Sequence, residues 1–228
     1  MKILVCGGAG FIGSNFIRYM LKEHPDYEIL NFDKLTYAGN LDNLSDVEKN
    51  PKYSFIKGNI SNFDQLSGLI KDGFDAIINF AAETHVDNSI YFDSRRFIES
   101  NVVGVHTILE LCKKYKIDRY IQISTDEVYG SLNLDDPNTF TEKTKFAPNS
   151  PYASSKAAAD LICRSYFKTY KVPVIVTNCS NNYGPFQYPE KLIPFFTSRA
   201  MKDEPLPLYG DGQQVRDWIH VLDHCSAI

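Results

Sequence analysis

The sequence predicts an α/β fold, a doubly wound parallel sheet with helices on both faces. Three observations carry this. Short aliphatic, strand-length runs alternate with helical stretches along the first 177 residues. The segments between successive runs are long enough to return the chain for parallel pairing. The first run, Ile3-Leu-Val-Cys6, opens directly into a glycine-rich turn and then a helical pattern.

Gly7, Gly10 and Gly13 follow that first strand, and Phe16, Ile17, Met20 and Leu21 recur at helical spacing over residues 15–22. Gly7 permits a tight turn, Gly10 lets the backbone approach a pyrophosphate, and Gly13 lets the helix pack on the strand. The helix N-terminus then presents its free N–H groups to phosphate charge. Residues 28–32 form a second strand ending at Asp33. That is about twenty residues past the last glycine, where an acid bonds the ribose hydroxyls of a dinucleotide. An acid there favours NAD over NADP, a preference softened by the neighbouring Lys34.

Residues 53–56 form the third strand, followed by Gly58, Asn59 and Ile60, and a helix spans 61–70. Residues 75–80 form the fourth strand, almost wholly apolar as in a sheet covered on both faces. It runs into Ala81 and Ala82, whose small side chains leave room for a cofactor. A long helix over 94–115 carries Phe97, Val102, Val105, Ile108, Leu109 and Cys112 on its apolar side. Residues 120–124 form the fifth strand, 131–150 a polar loop, 152–170 a helix starting just after Pro151, and 172–177 the sixth strand. Residues 1–177 are thus read as a dinucleotide-binding, Rossmann-type domain. Small polar residues at 178–185, then Pro189, Pro194, Pro205 and Pro207 around one helix near 191–201, mark the start of a smaller substrate-binding lobe over 178–228. The chain stops at Ile228 inside the first turn of an expected helix, so that lobe is expected to be only partly present.

Composition narrows the class of function. A chain of 228 residues with 43% hydrophobic content can bury a full core. Its net charge of −4 and its lack of any Lys/Arg run argue against nucleic acid as a partner. Five cysteines, odd in number and without a CxxC pair, read as reduced core thiols in a cytoplasmic protein. Met1-Lys2 leads straight into the first strand and the apolar runs are strand-length, so neither a leader nor a membrane span is expected. His220 and His224 lie four apart without a third ligand near in sequence, so no metal site is expected.

Two stretches carry the chemistry. Tyr152 and Lys156 are four apart on one helix and share a face. A phenol with its ordinary pKa near 10 is a poor base at neutral pH, but a nearby ammonium and a positive nicotinamide ring favour the phenolate. Such a pair can take a proton from an alcohol as hydride leaves to a cofactor. The second stretch ends the fifth strand: Ser124, Thr125, Asp126 and Glu127. Ligands gather beyond the carboxyl ends of strands in such sheets, so either hydroxyl can hold a substrate alcohol. Alcohol oxidation does not need the two acids. Side by side in a poorly hydrated pocket they do not both ionise readily, which leaves an acid and a base together. That is the equipment for eliminating water beside a carbonyl.

Seven stretches then carry a resemblance: residues 7–14, 33–40, 81–87 (Ala-Ala-Glu-Thr-His-Val-Asp), 124–130 (Ser-Thr-Asp-Glu-Val-Tyr-Gly), 150–156, 177–185, and Arg216-Asp-Trp218. Together the chain resembles the dTDP-glucose 4,6-dehydratases, a family of extended short-chain dehydrogenase/reductases, from residue 1 to about residue 225. The Thr-Asp-Glu triplet separates it from the sugar-nucleotide epimerases of the same family. The resemblance implies a tightly held NAD contacted by Gly7, Gly10, Phe11, Ile12, Gly13, Asp33, Lys34, Thr36, Asn59, Ile60, Ala81, Ala82, Ser100, Tyr152 and Lys156. It implies a nucleotide-sugar substrate held by Thr84, His85, Thr125, Asn181, Lys191, Leu192, Pro207, Tyr209 and Arg216. Arginine and lysine suit the two phosphates by charge and geometry.

The implied cycle has three stages. Tyr152, aided by Thr125 and Lys156, deprotonates the glucose C4 hydroxyl as hydride passes to NAD. Glu127 removes the C5 proton while Asp126 protonates the leaving C6 hydroxyl. Hydride returns to C6, giving a 4-keto-6-deoxy sugar of the kind that feeds rhamnose biosynthesis. Two positions depart from the family pattern: Asn59 stands where an acid is usual beside the adenine, and Asn88 where an arginine is usual. The family also implies a homodimer, built on a four-helix bundle from the helices of residues 94–115 and 152–170. Rival readings are a UDP-glucose 4,6-dehydratase, a UDP-sugar 4-epimerase, and a catalytically silent NAD-binding scaffold.

Overall fold

The computed structural model describes residues 1–208 and 210–228; Tyr209, a predicted substrate contact, lies outside the described residues. Six strands form one parallel sheet: β1 (Lys2–Cys6), β2 (Glu28–Asp33), β3 (Tyr53–Lys57), β4 (Ala76–Asn79), β5 (Arg119–Thr125) and β6 (Val174–Cys179). Their order is β3-β2-β1-β4-β5-β6. The winding reverses between β1 and β4, which pair in register from Ile3 with Ala76 to Cys6 with Asn79. A crevice opens at that switch point, beyond the carboxyl ends of the strands.

Helices cover both faces. α1 (Phe11–Glu23) packs Phe16, Ile17 and Leu21 onto Ile3, Val5, Ile29 and Ile78. On the other face α2 (Phe63–Ile70), α5 (Gly104–Tyr115) and α6 (Pro151–Tyr170) bury Leu66, Ile70, Val105, Ile108, Leu109, Cys112, Ala159 and Cys163 against Leu4, Cys6, Phe32, Ile77 and Tyr120. Both faces of the central strands are therefore dry, which is why β4 is buried at all four positions. All six strands fall where the hydrophobic runs placed them, with ends displaced by two residues at most.

The helix expected over 94–115 is not continuous. A short α3 (Val86–Tyr91) precedes it, then α4 (Arg95–Phe97), then a wide π turn at Ile98–Val103, and only then α5. Hydrophobic spacing does not announce a π turn, because one extra residue per turn leaves the buried positions on either side looking helical. Beyond β6 come β7 (Asn181–Tyr183), α7 (Leu192–Ala200), β8 (Trp218–His220) and α8 (Val221–Ala227), with β7 and β8 paired in parallel as a separate small sheet. α8 packs against α1, burying Val221 and Cys225 in the core that lies under α1. Among the described residues no helix is long and apolar enough to cross a membrane.

Candidate active site

The glycine turn forms a cradle that tolerates no side chain. Gly7 sits at φ +78°, and a Cβ there would lie 2.4 Å from the Ala81 nitrogen. A Cβ on Gly13 would lie 2.4 Å from the Gly7 carbonyl oxygen. No side chain caps the start of α1, where Gly10 is the N-cap. The first N–H groups of α1 are thus left for an anion. Asp33 braces the turn from β2: Oδ2 accepts from the Ala9 N–H at 2.9 Å and Oδ1 from the Leu35 N–H at 2.8 Å. Burial pushes its pKa upward while those two N–H groups oppose the shift.

Two adjoining clefts meet at this turn and share Gly7, Gly10, Ala38, Phe80 and Ala82. The first, of about 520 Å³, is lined by the predicted residues Asp33, Lys34, Thr36, Asn59, Ile60, Ala81 and Ser100. The second, of about 410 Å³, is lined by Phe11, Ile12, Gly13, Tyr152 and Lys156. Every predicted cofactor residue therefore lines one cleft or the other. An acid at the end of β2, an uncapped helix start and backbone approach without Cβ atoms fit a dinucleotide laid across both. Asn59 holds its own turn, accepting from the Ser61 N–H at 3.0 Å and donating from Nδ2 to Glu99 Oε1 at 3.5 Å.

The second cleft also contains Ser124, Thr125 and Glu127. β5 runs extended into Thr125, and a 3-10 turn follows at Asp126–Tyr129. Thr125 caps that turn: Oγ1 accepts from the Glu127 N–H at 3.3 Å and donates to Asp126 Oδ1 at 3.2 Å. The turn aims Glu127 into the cleft, whereas Asp126 is half-buried beside Thr125 and is not part of the cleft wall. Burial raises the pKa of both acids; for Glu127 the charge of Asp126 adds to the rise, while Arg216 opposes it in both. Two acids biased toward the protonated form beside a redox-type pair supply a proton donor and, once one ionises, a base.

α6 delivers Tyr152 and Lys156. Its start is set by Ser150, whose Oγ accepts from the Ala153 N–H at 3.0 Å, and by Pro151 in the first turn. Both side chains are buried, and Lys156 Nζ donates to the Ile123 carbonyl at 2.6 Å. Burial first, then the charge of Glu127, push the Tyr152 phenol well above its ordinary range, with Thr125 pulling the other way. Burial lowers the Lys156 pKa, chiefly opposed by Asp160. The protein alone thus keeps Tyr152 protonated, and a phenolate requires a positive charge brought into the cleft.

On the substrate side Thr84, Asn181, Lys191, Leu192 and Arg216 join Thr125 in the wall of the second cleft. Lys191 Nζ donates to the Thr84 carbonyl at 3.3 Å. His85 is not in that wall; its Nε2 faces Glu190 Oε2 at 3.3 Å. Pro207 is exposed and lines neither cleft. Sequence reasoning missed Glu190, which lines the cleft and accepts from Tyr37 OH at 3.1 Å. It also missed Asn101, at the π turn: Nδ2 donates to the Glu83 carbonyl at 3.0 Å and to Ser155 Oγ at 2.9 Å, and Oδ1 accepts from the Glu83 N–H at 2.8 Å. Its only sequence signal was a polar residue on the apolar side of a predicted helix. His224 is buried against Asn182 Oδ1 at 2.8 Å, and His220 Nδ1 accepts from the Leu222 N–H at 3.4 Å.

A doubly wound sheet with a Cβ-free glycine cradle and a buried Tyr–Lys pair at the carboxyl ends of its strands defines a dinucleotide-dependent enzyme of the short-chain dehydrogenase/reductase type. More narrowly, the chain belongs to the GDP-mannose 4,6 dehydratase family, whose profile matches residues 4–228. It is 48% identical over 228 residues to the low-salt glycan biosynthesis protein Agl12 of Haloferax volcanii, covering 100% of this chain and 72% of that one. Among solved structures it is similar to the dTDP-glucose 4,6-dehydratase of Bacillus anthracis in complex with NAD, at 56% identity and a TM-score of 0.92, covering 100% of this chain and 70% of that one. It is likewise similar to DesIV, the dTDP-glucose 4,6-dehydratase of Streptomyces venezuelae with NAD and TYD bound, at 47% identity and a TM-score of 0.94, covering 99% and 70%.

Proposed function

We propose that this chain carries the cofactor-binding and catalytic part of an enzyme that dehydrates dTDP-glucose to dTDP-4-keto-6-deoxyglucose with NAD. One observation carries the reading: Glu127 and Thr125 share a cleft with Tyr152 and Lys156, at the mouth of the glycine cradle. Identities of 47–56% to structurally solved dTDP-glucose dehydratases support the substrate class.

NAD, held by the glycine turn, Asp33 and the walls of the two clefts, supplies the hydride acceptor and donor when bound. The residues of the chain do the rest. Tyr152 takes the proton of the sugar C4 hydroxyl, which Thr125 orients, and Lys156 keeps the region positive. Removal of the C4 hydrogen makes a carbonyl there, which acidifies the C5 proton. Glu127 takes that proton, and Asp126, held against Thr125 at the edge of the cleft, gives one to the departing C6 hydroxyl, so that water leaves and a C5–C6 double bond forms. Hydride addition at C6 and reprotonation at C5 complete the product, with no net change in cofactor redox state. Lys191 and Arg216 bind the diphosphate, with Asn181 and Thr84 in the same wall.

The wider setting follows from the same reading. The product class feeds deoxysugar biosynthesis of the rhamnose type in the cytoplasm. Exposed Leu161 on the catalytic helix and exposed Ile98 and Val103 on the π turn that packs beside it suit a homodimer.

The test is product mass, measured on the full-length protein with dTDP-glucose. Loss of one water from the sugar is expected. A sugar of unchanged mass with inverted C4 would replace this reading with an epimerase, and an untouched sugar nucleotide with bound NAD would replace it with a scaffold. Parallel reactions with UDP-glucose distinguish the two bases, which differ by a methyl group.

A further inference from the structure

Asp160 lies one helical turn beyond Lys156 on the same face of α6, and only 4% of it is exposed. Its Oδ2 accepts from Ser124 Oγ at 2.7 Å and from Asn178 Nδ2 at 3.2 Å. Its Oδ1 is buried with no hydrogen-bond partner among the described residues. A carboxylate in such a place is costly unless an opposite charge compensates it. The ammonium of Lys156 is the cation that faces it, and the two influence each other's titration. Among the described residues they form no ion pair within 4.0 Å; one N–H of Nζ goes to the Ile123 carbonyl, and the charges act across a buried gap. The other groups facing Asp160 are neutral. They are Cys163 on α6, Ser124 on β5, Asn178 on β6 and Tyr129 on the 3-10 turn. Asn178 Nδ2 also donates to the Thr125 carbonyl at 3.2 Å, so the same carboxylate is one bond removed from the residue that caps the Thr-Asp-Glu turn.

We propose that Asp160 is a positioning residue of the reaction: from beneath the cleft it holds Lys156 as an ammonium and, through Ser124 and Asn178, holds Thr125 in place. Tyr152, Lys156 and Asp160 then form one stripe down α6, in which a buried negative charge sustains the positive charge that the phenolate needs. Asp160 touches no reacting atom. Its influence travels through Lys156, and the proposal rests on the assignment of Tyr152 as base.

The experiment has two arms. In the full-length protein, Asp160→Asn removes the charge and keeps the shape. Lys156 then loses its support, the phenolate loses a favourable neighbour, and the acidic limb of the kcat profile moves to higher pH by about one unit. That is about a tenfold loss at a fixed pH on the limb, with KM changed less than about twofold and the rate recovered by raising the pH. Asp160→Glu, which restores a charge, brings the limb back. A limb left at its original pH overturns the proposal. The second arm needs no catalysis. In wild type Asp160→Asn lowers the thermal midpoint, whereas in a Lys156→Met background it is neutral or stabilising, because the buried carboxylate then has no cation to serve. Equal destabilisation in both backgrounds, or failure to fold in both, assigns Asp160 to the Ser124 and Asn178 bonds alone and overturns the proposal. Because this arm is independent of the sugar chemistry, a failed dehydratase assignment and a failed charge pair give different results.

Discussion

The side-chain amide of Asn101 donates to Ser155 Oγ at 2.9 Å across a buried gap, and so ties the π turn to the helix that carries Tyr152 and Lys156. Ser155 passes the tie on by donating to the Tyr152 carbonyl at 2.7 Å, while Asn101 grips both backbone polar groups of Glu83. Three segments are fixed by one residue that is 1% exposed. Asn101→Ala leaves the Glu83 N–H and carbonyl without their partner. It is expected to cost about 2–3 kcal/mol of stability and to lower kcat more than it raises KM. Urea unfolding and steady-state kinetics on the same preparation check both halves.

Tyr152→Phe removes the proton acceptor and leaves the ring packed edge-on against Phe97. The first hydride step is expected to slow by about 10²–10⁴-fold, with the thermal midpoint unchanged. Single-turnover appearance of reduced nicotinamide is the measurement. Normal oxidation by this variant would reassign the base.

Glu127→Gln keeps the volume in the cleft but cannot take a proton. C4 oxidation is expected to survive while water loss slows, so reduced nicotinamide accumulates instead of passing through a transient. If the variant turns over at the wild-type rate, the C5 base lies elsewhere.

Burial raises both Asp126 and Glu127 in the folded chain. The folded state therefore holds their protons to higher pH than the unfolded chain does. Their contribution to stability is full below the ordinary carboxyl range near 4, and it is lost as pH rises through the raised values. Asp126→Asn with Glu127→Gln should accordingly stabilise the protein relative to wild type at neutral pH, with the difference shrinking as pH falls toward 4. Thermal midpoints taken across that range test the sign.

Gly7→Ala sets a Cβ at φ +78° and 2.4 Å from the Ala81 nitrogen, on backbone that does not yield. The strain alone is about 1–3 kcal/mol, and the displaced Ala81 strand end intrudes on both clefts. The expected result is protein that purifies without NAD and melts earlier. Retention of the cofactor at wild-type stoichiometry would show that the cradle is not where it binds.

The sheet was legible because its information is local. Each strand is a compact aliphatic run, and the glycine turn, Asp33 and the Tyr152–Lys156 spacing are short patterns with one physical meaning each. What escaped notice depends on residues far apart in the chain. Tyr37 meets Glu190 from 153 positions away, and neither has a neighbour in sequence that advertises the contact. Asp160 has no local signal in the sequence, because its Ser124 and Asn178 partners come from two strands. The expected 94–115 helix failed for another reason: hydrophobic spacing records which residues are buried, and a π turn changes the winding between buried positions.

That winding has a consequence for how the first cleft is built. Arg96, Glu99 and Ser100 face the cleft, while Val105, Ile108, Leu109 and Cys112 face the core, along one axis. The π turn, which itself carries Glu99 and Ser100, is a slip in phase, an added residue that advances the chain without the rotation an α-helix would demand. Deleting a single residue within 98–103 would restore an ordinary helix and leave the faces on either side in phase, so the change would fall on the turn's own residues. Glu99 and Ser100 would shift against the cleft together, and Asn101 would lose its grip. The composition of that wall is thus governed by chain length at one turn, and a change of length there alters several contacts at once where a substitution alters one.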